Sequence, residues 1–377
     1  MSLIENYLKY NENKLDLLNE LNLNIKKKDN LLNISYDRNI SDMNNDLVKE
    51  CRGLIYDLDN KKVLSVSLKC KNTLEDFIEN IKWKDCIVEE SIDGTLIILY
   101  YNNSEWNVCT KKTFDGKCRW CSTKTFNELF WETLELYKSF NLDQLNKNFC
   151  YSFILCNSEC RNITKYENPK LYHITSINLN DFNEYDEEIG IEKPKLLKYN
   201  SFNITGCSNY NELLLKLNNL DYSKEGYMLY NKERSFRTKL LGKSHIKVKN
   251  LKGLYPIIDL RLVELIKEQP NVLKDFLYYF PEYTKKVEDI EISIKNIEKI
   301  ILKYYTLVKK NNIDTEIPDI LKKIIYELHG EYIELMNNYN PVTHTYKPSI
   351  NIHKVRNWLT KISSRRLCLL INWYNTL

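Results

Sequence analysis

Two patterns of hydrophobic and polar positions divide the chain. In the first part, short β-branched or aromatic runs bounded by polar turns predict strands over 53–57, 63–68, 95–101, 106–110, 151–155, 171–179, 227–231 and 244–248. Between them, the apolar spacing over 125–140 and 210–220 predicts helices. This part of the sequence therefore predicts an α+β core of antiparallel character.

The second pattern begins near residue 255. Apolar residues separated alternately by three and four positions predict one long helix, namely Val287, Ile290, Ile294, Ile297, Ile301, Tyr304 and Val308. We also predict a helix over 320–336 that is interrupted or bent at Gly330, an irregular stretch between Pro341 and Pro348, and a final helix over 355–374. The sequence thus predicts two domains, an α+β domain over 1–254 and an all-helical domain over 255–377.

Composition indicates a folded protein in a reducing compartment. Hydrophobic residues make up 43% and charged residues 28% of the chain. Residues 1–30 contain no apolar core of signal-peptide length, and no later run is long enough to span a bilayer. The 11 cysteines are scattered and do not form a dense framework. We therefore expect a cytoplasmic protein with no membrane partner.

The distribution of charge says more than the net charge of +4. Between residues 232 and 252 there are eight lysines or arginines against one acid, Glu233. A second basic stretch runs over 111–124 and is broken only by Asp115. Solvated surface charge would explain either run alone. Both runs, however, adjoin candidate nucleotide motifs, and this favours phosphate binding.

Short motifs with charged residues follow one another along the first part of the chain. The first are Glu50-Cys51-Arg52-Gly53, the apolar run that leads to Lys71, and Ser91-Ile92-Asp93-Gly94. They are followed by Thr110-Lys111-Lys112, Glu225-Gly226-Tyr227 and Lys247-Val248-Lys249. Each motif alone is weak, because such short matches arise by chance. Their order and spacing together are specific.

In this order the motifs resemble the RNA ligase 1 family, typified by the bacteriophage tRNA-repair ligase, within the covalent nucleotidyltransferase superfamily. The resemblance covers essentially the whole chain. It implies an ATP-grasp-like nucleotidyltransferase core of antiparallel sheets with helices, followed by an all-α domain. ATP and Mg²⁺ are implied as ligands by the resemblance alone, and no cofactor follows from the residues themselves.

The resemblance assigns nucleotide or phosphate binding to eight residues, which are Arg52, Lys71, Asp93, Gly94, Lys112, Glu225, Lys247 and Lys249. Glu225 is also the candidate oxygen ligand for Mg²⁺. Lys247 and Lys249 are separated by two positions, so on a strand both would point to the same face and could hold the α-phosphate.

Two positions depart from the family pattern. Ser91 stands where the family has the lysine whose amine attacks the α-phosphate of ATP. Ile154, seven residues before Arg161, stands where the family has a glutamate. A serine hydroxyl cannot form the phosphoamide that the lysine forms. The sequence therefore predicts a naturally inactive relative, with no catalytic residue assigned.

We expect from this a pseudo-ligase that binds RNA, with tRNA as its target, and that protects tRNA from a cleaving nuclease as an immunity factor. The absence of alanine indicates an A+T-rich gene and favours a viral or plasmid source. Two alternatives remain open. One is an active ATP-dependent RNA ligase for tRNA repair whose nucleophile was replaced for crystallisation. The other is a module that binds a protein, such as a nuclease toxin, in the old cleft.

A zinc site at Cys118-Arg119-Trp120-Cys121 is disfavoured because no histidine lies near it in the sequence.

Overall fold

The computed structural model describes residues 3–10, 14–341 and 347–377. The chain divides into two compact units, Met1–Asn250 and Leu251–Leu377. The irregular stretch predicted between Pro341 and Pro348 lies mostly outside the described residues. Within those residues, no helix combines the length and the apolar composition needed to cross a bilayer.

The first unit contains three antiparallel sheets, and the first of them has the strand order β1-β2-β3-β4. Its strands are β1 (Leu23–Lys28), β2 (Leu31–Tyr36), β3 (Arg52–Asp57) and β4 (Lys62–Ser65). The helices of this region are α1 (Leu3–Tyr10), α2 (Lys14–Glu20) and α3 (Asp46–Glu50). Ile4, Leu32 and Leu54 belong to one buried core, so the sheet and α1 share their apolar faces.

The second sheet has the order β10-β9-β8-β6-β7. Its strands are β6 (Thr95–Asn102), β7 (Glu105–Cys109), β8 (Phe149–Cys156), β9 (Lys170–Asn178) and β10 (Glu184–Tyr185). It packs against α5 (Phe126–Leu134), which begins at a capping box formed by Thr125 and Glu128. The helix predicted to reach residue 140 ends earlier, because Tyr137 and Phe140 pack against this core from successive turns.

The third sheet has the order β12-β11-β5-β13-β14. Its strands are β5 (Ile87–Ser91), β11 (Leu196–Tyr199), β12 (Phe202–Asn203), β13 (Gly226–Tyr230) and β14 (Arg237–Leu241). The core beneath it is shared with α4 (Leu74–Asn80) and α6 (Tyr210–Asn218) through Phe77, Leu213 and Leu229. The central strand β5 ends at Ser91, and its neighbour β13 begins directly after Glu225. This arrangement brings two motifs to one edge of the sheet.

The predicted α+β fold class with antiparallel sheets is confirmed, but one strand prediction is wrong. Residues 244–248 lie in the helix α7 (Lys243–Lys252). Its buried residues are His245, Val248 and Lys252, and their separations of three and four positions are helical spacing. A window of five residues fits both a strand and a helix pattern, so the sequence did not separate the two.

The second unit is helical in its described residues. Its helices are α8 (Ile258–Glu268), α9 (Pro270–Tyr279), α10 (Thr284–Tyr305), α11 (Asp319–Asn337), α12 (Ile352–Lys361) and α13 (Ser364–Tyr374). The predicted stripe follows α10 and ends in a π-helical turn, Thr306–Lys310. The helix α11 continues through Gly330, so the predicted helix is not interrupted there. The single final helix is instead two, since Ser363 caps the N-terminus of α13 by accepting from the Arg366 N–H.

Candidate functional site

The ends of β5 and β13 bring five polar side chains together, and we call them the Glu225 cluster: Ser91, Asp93, Glu225, Lys239 and His245. Gly226 pairs with Ser91 across the two strands, so Glu225 lies beside the serine. The Ser91 hydroxyl donates to Oε2 of Glu225 over 2.6 Å. Oε1 of Glu225 forms an ion pair with Lys239 of β14. Both oxygens of the buried carboxylate are therefore engaged by the protein itself.

Glycines let the backbone of this cluster pack closely. A Cβ at Gly226 would lie 1.9 Å from the Leu240 carbonyl oxygen, and the residue has φ +143°. A Cβ at Gly94 would lie 2.5 Å from Cγ2 of Ile154 and 2.6 Å from the Leu155 carbonyl oxygen. Both glycines are thus required by contacts within the protein. Ile154 presents a methyl group to Gly94, at the position where the family pattern has a carboxylate.

Asp93 and His245 are held by neighbouring backbone. Oδ2 of Asp93 accepts from the N–H groups of Ile163 and Thr164 over 2.8 and 2.7 Å. Nδ1 of His245 lies 2.9 Å from the Tyr222 carbonyl oxygen, which can only accept, so Nδ1 carries the proton. Asp93 therefore anchors the 163–164 segment, and Nε2 of His245 is left as an acceptor.

Asp93, Glu225 and His245 are also the candidate metal ligands. One ligand atom from each lies within 4.8 Å of the others, and no other such trio occurs in the described parts of the chain. The cysteines at 118 and 121 accordingly have no third ligand there for zinc. Both oxygens of Glu225 already meet donors of the protein, and Oδ2 of Asp93 accepts from two N–H groups. A metal ion bound by Glu225 would therefore compete with the Ser91 hydroxyl and the Lys239 ammonium.

A second group, which we call the cationic cluster, lies around the segment that follows β4: Tyr36, Arg38, Arg52, Cys70, Lys71 and Lys111. Nη2 of Arg38 donates to Sγ of Cys70 over 3.0 Å and to the Lys71 carbonyl over 3.3 Å. The Lys111 ammonium lies 5.3 Å from the centre of the Tyr36 ring. Four cationic side chains thus converge here on one cysteine and one tyrosine.

Burial and neighbouring positive charges lower the pKa values of the two lysines in the cationic cluster. Burial, followed by the charges of Lys239 and Arg52, lowers the pKa of Lys71 to about 7. Burial and the charges of Arg52 and Lys112 lower the pKa of Lys111 to about 8. Burial alone would raise the pKa of the Cys70 thiol, but the Tyr36 hydrogen bond and the Arg38 charge bring it below its ordinary value. An anion entering the cluster would relieve this repulsion.

The segment that carries Lys71 is fixed from two sides. Nη1 of Arg52 donates to the carbonyls of Leu68 and Lys69 over 2.9 and 3.0 Å. Asn72 exchanges hydrogen bonds with the Arg237 backbone of β14. The same segment lines a cavity of about 710 Å³, together with Arg38, Lys49, Glu184 and Phe236. Arg38 and Lys71 are therefore pre-positioned beside a space large enough for a nucleotide-sized ligand.

The structure brings together some of the predicted site residues and leaves others apart. Arg52, Lys71, Asp93 and Glu225 lie in the two clusters described above, and Gly94 directly follows Asp93. Lys247 and Lys249 lie exposed on α7, so the prediction that they share one face of a strand is wrong, because a spacing of two points in different directions on a helix. Lys112 is exposed at the tip of a turn, and its neighbour Lys111 is the residue that enters the cationic cluster.

Six residues of the site were not predicted from sequence, namely Tyr36, Arg38, Cys70, Lys111, Lys239 and His245. Two cations that point to the same face of a strand were predicted at Lys247 and Lys249. The residues with this arrangement are instead Arg237 and Lys239 on β14. The signal was the polar turn over 231–236, which separates β13 from a second short run and indicates a hairpin. Tyr36 and Arg38 follow a strand without any motif, so no sequence signal pointed to them.

Sequence comparisons connect the chain with RNA ligases. An RNA ligase of Rhodothermus phage RM378 is 34% identical over 91 residues, which are 22% of this chain and 20% of the phage protein. A proposed bifunctional polynucleotide kinase/RNA ligase of Autographa californica nuclear polyhedrosis virus is 26% identical over 224 residues, covering 54% of this chain and 31% of the viral protein. The chain thus spans a third or less of the length of these relatives. No protein-family model matches the sequence.

Solved structures of ligases also resemble the chain, at low identity. A variant of the Naegleria gruberi RNA ligase with ATP and Mn aligns with 48% of this chain and 57% of its own, at 14% identity and a TM-score of 0.38. A proposed ATP-dependent DNA ligase from Aquifex aeolicus aligns with 73% of this chain and 74% of its own, at 13% identity and a TM-score of 0.43. The two viral sequence relatives confirm, over part of the chain, the resemblance to RNA ligases that the motifs predicted.

Proposed function

We propose that this RNA-ligase-like protein is a pseudo-ligase, which binds RNA and does not form a covalent nucleotide adduct. One observation carries the proposal. At the position of the ligase nucleophile, the Ser91 hydroxyl donates to Glu225 over 2.6 Å, and Glu225 is neutralised by Lys239. The position therefore offers an alcohol tied into a hydrogen bond where the reaction needs a free amine.

The residue at position 154 supports the same conclusion. Ile154 packs its methyl group against Gly94 and contributes no charge or hydrogen-bonding group. Two separate positions thus lack the groups that nucleotidyl transfer uses in the resembling family. Neither change disturbs the strand pairing around it, because β5 with β13 and β6 with β8 keep regular registers. The fold is retained while the chemistry is removed.

The cationic cluster supports a binding role. Arg38 and Lys71 line a cavity of about 710 Å³, and burial together with neighbouring positive charges lowers the pKa values of Lys71 and Lys111. A phosphate group would neutralise this repulsion. We propose that the cluster holds a phosphate of RNA. The resemblance to a tRNA-repair ligase makes tRNA the target, and protection of tRNA from a cleaving nuclease is the role we propose for it.

The bound RNA can be identified directly. The tagged chain is recovered from its native host, and the co-purifying RNA is sequenced. The comparison variant replaces Arg38, Lys71 and Lys111 with glutamine, and the matched control replaces the exposed Lys84, Lys138 and Lys195. We expect tRNA enriched with the unmodified chain and with the control, and lost with the cluster variant.

Two outcomes would overturn the proposal. The first is an AMP group attached to any side chain of the unmodified protein after incubation with radioactive ATP, which mass spectrometry of the intact chain would detect. The second is recovery of no RNA above the level of the cluster variant. Recovery of a bound protein in place of RNA, insensitive to salt, would instead support the module that binds a toxin.

A further inference from the structure

Two basic segments that are distant in sequence form one surface on the first unit. They are the edge strand β1, which carries Lys26, Lys27 and Lys28, and the turn after β7, which carries Lys111, Lys112 and Lys117. Nζ of Lys26 donates to the Lys112 carbonyl over 2.8 Å, and Nζ of Lys28 pairs with Asp115 over 3.2 Å. Two independent contacts therefore join the segments. We call these six residues the lysine ridge.

The turn that supports the ridge is rigidly held. Thr110 and Thr113 exchange backbone hydrogen bonds of 3.2 and 3.3 Å, and their hydroxyls lie 2.8 Å apart. The Phe114 carbonyl accepts from the Tyr100 hydroxyl over 3.0 Å, and the Asp115 carbonyl accepts from the Asn127 amide over 2.8 Å. The cations at the tip of the turn are thus fixed before any ligand arrives, which lowers the entropy lost on binding.

The ridge keeps an excess of positive charge. Asp29 and Asp115 are the acids within its two segments, and Asp115 is paired with Lys28. Lys26, Lys27, Lys112 and Lys117 are exposed. Lys26 uses one of its three donors on a carbonyl, so its ammonium retains its full charge. The surface is suited to a chain of phosphates, because several cations act on one ligand.

The ridge leads into the cationic cluster. At the tip of the turn, Lys112 points to solvent, whereas Lys111 reaches inward over the Tyr36 ring. Tyr36 is the last residue of β2, the strand paired with β1. One continuous series of cations therefore runs from the edge strand to Lys71. The cavity beside Lys71, about 710 Å³, accommodates a nucleotide but not a duplex about 20 Å wide.

We infer that the lysine ridge binds the phosphate backbone of a single RNA strand whose terminal or flanking phosphate occupies the cationic cluster. The inference rests on the proposed function, since it names the surface by which the RNA is held. Lysines on an edge strand also prevent pairing with other strands. If these lysines served only to prevent strand pairing, Lys26 would not need its contact with the turn that carries Lys112. Replacing the lysines would then have no effect on RNA binding.

The test compares two triple variants of the full chain. The ridge variant is Lys26→Gln, Lys27→Gln and Lys112→Gln, and the control, with the same change in charge, is Lys84→Gln, Lys138→Gln and Lys195→Gln. Binding of a fluorescent single-stranded RNA is measured by anisotropy over a series of salt concentrations. For three lost phosphate contacts we expect roughly tenfold weaker binding and a salt slope smaller by about 2, at about 0.7 for each contact. The control should match the unmodified chain.

A second ligand separates failure of this inference from failure of the proposed function. Inorganic tripolyphosphate is too short to follow the ridge, so the ridge variant should bind it within about twofold of the unmodified chain. Unchanged RNA affinity and salt slope in the ridge variant would overturn the inference while leaving RNA binding through the cluster intact. If the unmodified chain binds no RNA, both the inference and the proposed function fail.

Discussion

The Glu225 cluster and the cationic cluster are built from neighbouring segments but have opposite electrostatic character. In the Glu225 cluster, each carboxylate meets donors from the protein, and the Lys239 ammonium is paired. In the cationic cluster, burial and the neighbouring positive charges both lower the pKa of Lys71 and of Lys111. The first is internally satisfied, and the second requires an external anion for balance.

This difference suggests how a ligase-like fold can lose one capacity and keep another. Covalent transfer depends on a few groups with fixed identity, and under the proposed function Ser91 and Ile154 replace two of them. Phosphate binding depends on summed charge, which tolerates substitution of any single member. We therefore propose that the Glu225 cluster has lost the chemistry and that the cationic cluster keeps the binding.

The largest expected difference between the clusters is in thiol reactivity. Cys70 lies in the cationic cluster, where its pKa is lowered, whereas burial raises the pKa of Cys156, beside Asp93, to about 12. The thiolate is the reactive form. At pH 7.5 we expect iodoacetamide to modify Cys70 roughly a hundredfold faster than Cys156, after allowing for the lower nucleophilicity of the more acidic thiol. Peptide mass spectrometry measures both rates.

Pyrophosphate gives the control for this experiment. An anion in the cationic cluster should slow modification of Cys70, because it covers the thiol and competes for Arg38. It should leave Cys156 unaffected. Equal rates for the two cysteines would contradict the electrostatic contrast, and an unprotected Cys70 would place the anion elsewhere.

The next effect concerns Lys71 and the pH dependence of anion binding. Lys71 carries its charge below a pKa of about 7, and Lys111 below about 8. The affinity for sulfate, whose own charge does not change over this range, should therefore fall as the pH rises from 6 to 9. Lys71→Met should weaken binding roughly tenfold at pH 6, the value of one charged hydrogen bond, and should remove the step near pH 7. Isothermal titration calorimetry measures both.

The matched control replaces the exposed Lys84 with methionine and should retain the affinity and the pH profile of the unmodified chain. A Lys71→Met protein that keeps the step near pH 7 would show that another group titrates there, and the assignment of the cationic cluster as the anion site would be lost.

How much of this site the sequence predicted depends on the kind of information each residue needed. The motif order identified Arg52, Lys71, Ser91, Asp93 and Glu225, because short-range patterns mark strand ends and turns. Lys239 was missed because its contact with Glu225 arises from the register of β13 against β14. Register between two strands depends on long-range pairing, and no local pattern states it.

Lys111 and Lys112 show a second limit of prediction from the sequence. Lys111 and Lys112 are adjacent, and a tight turn sends one inward and the other outward. The sequence could not decide between them, because the direction depends on the Thr110–Thr113 bridge. Lys247 and Lys249 were assigned to a strand because their window was short, and burial of His245 and Val248 determined the helix instead.

A smaller effect is expected from removing the negative charge of Glu225 in the Glu225 cluster. Glu225→Gln removes the charge that holds Lys239 and keeps an amide oxygen for the Ser91 hydroxyl. The released ammonium should strengthen tripolyphosphate binding about threefold, because it adds one partly solvated cation to the site. Calorimetry at pH 6 measures the change. Ser91→Ala leaves the ion pair intact and should have no effect, whereas weaker binding in Glu225→Gln would show that the carboxylate does not restrain Lys239.

The smallest expected effect is that of Ser91→Lys, which restores the amine and should still yield no covalent AMP. The new ammonium would lie beside Glu225, and this ion pair favours its protonated, non-nucleophilic form. Ile154 would still supply a methyl group where the family pattern has a carboxylate. Incubation with radioactive ATP and Mg²⁺, next to an active RNA ligase as positive control, measures adduct formation.

Unchanged tripolyphosphate binding shows that the variant is folded. Labelling of the Ser91→Lys variant with AMP would show that this one substitution is enough to restore covalent activity. Labelling that appears only when Ile154→Glu is added would show that both positions prevent the reaction.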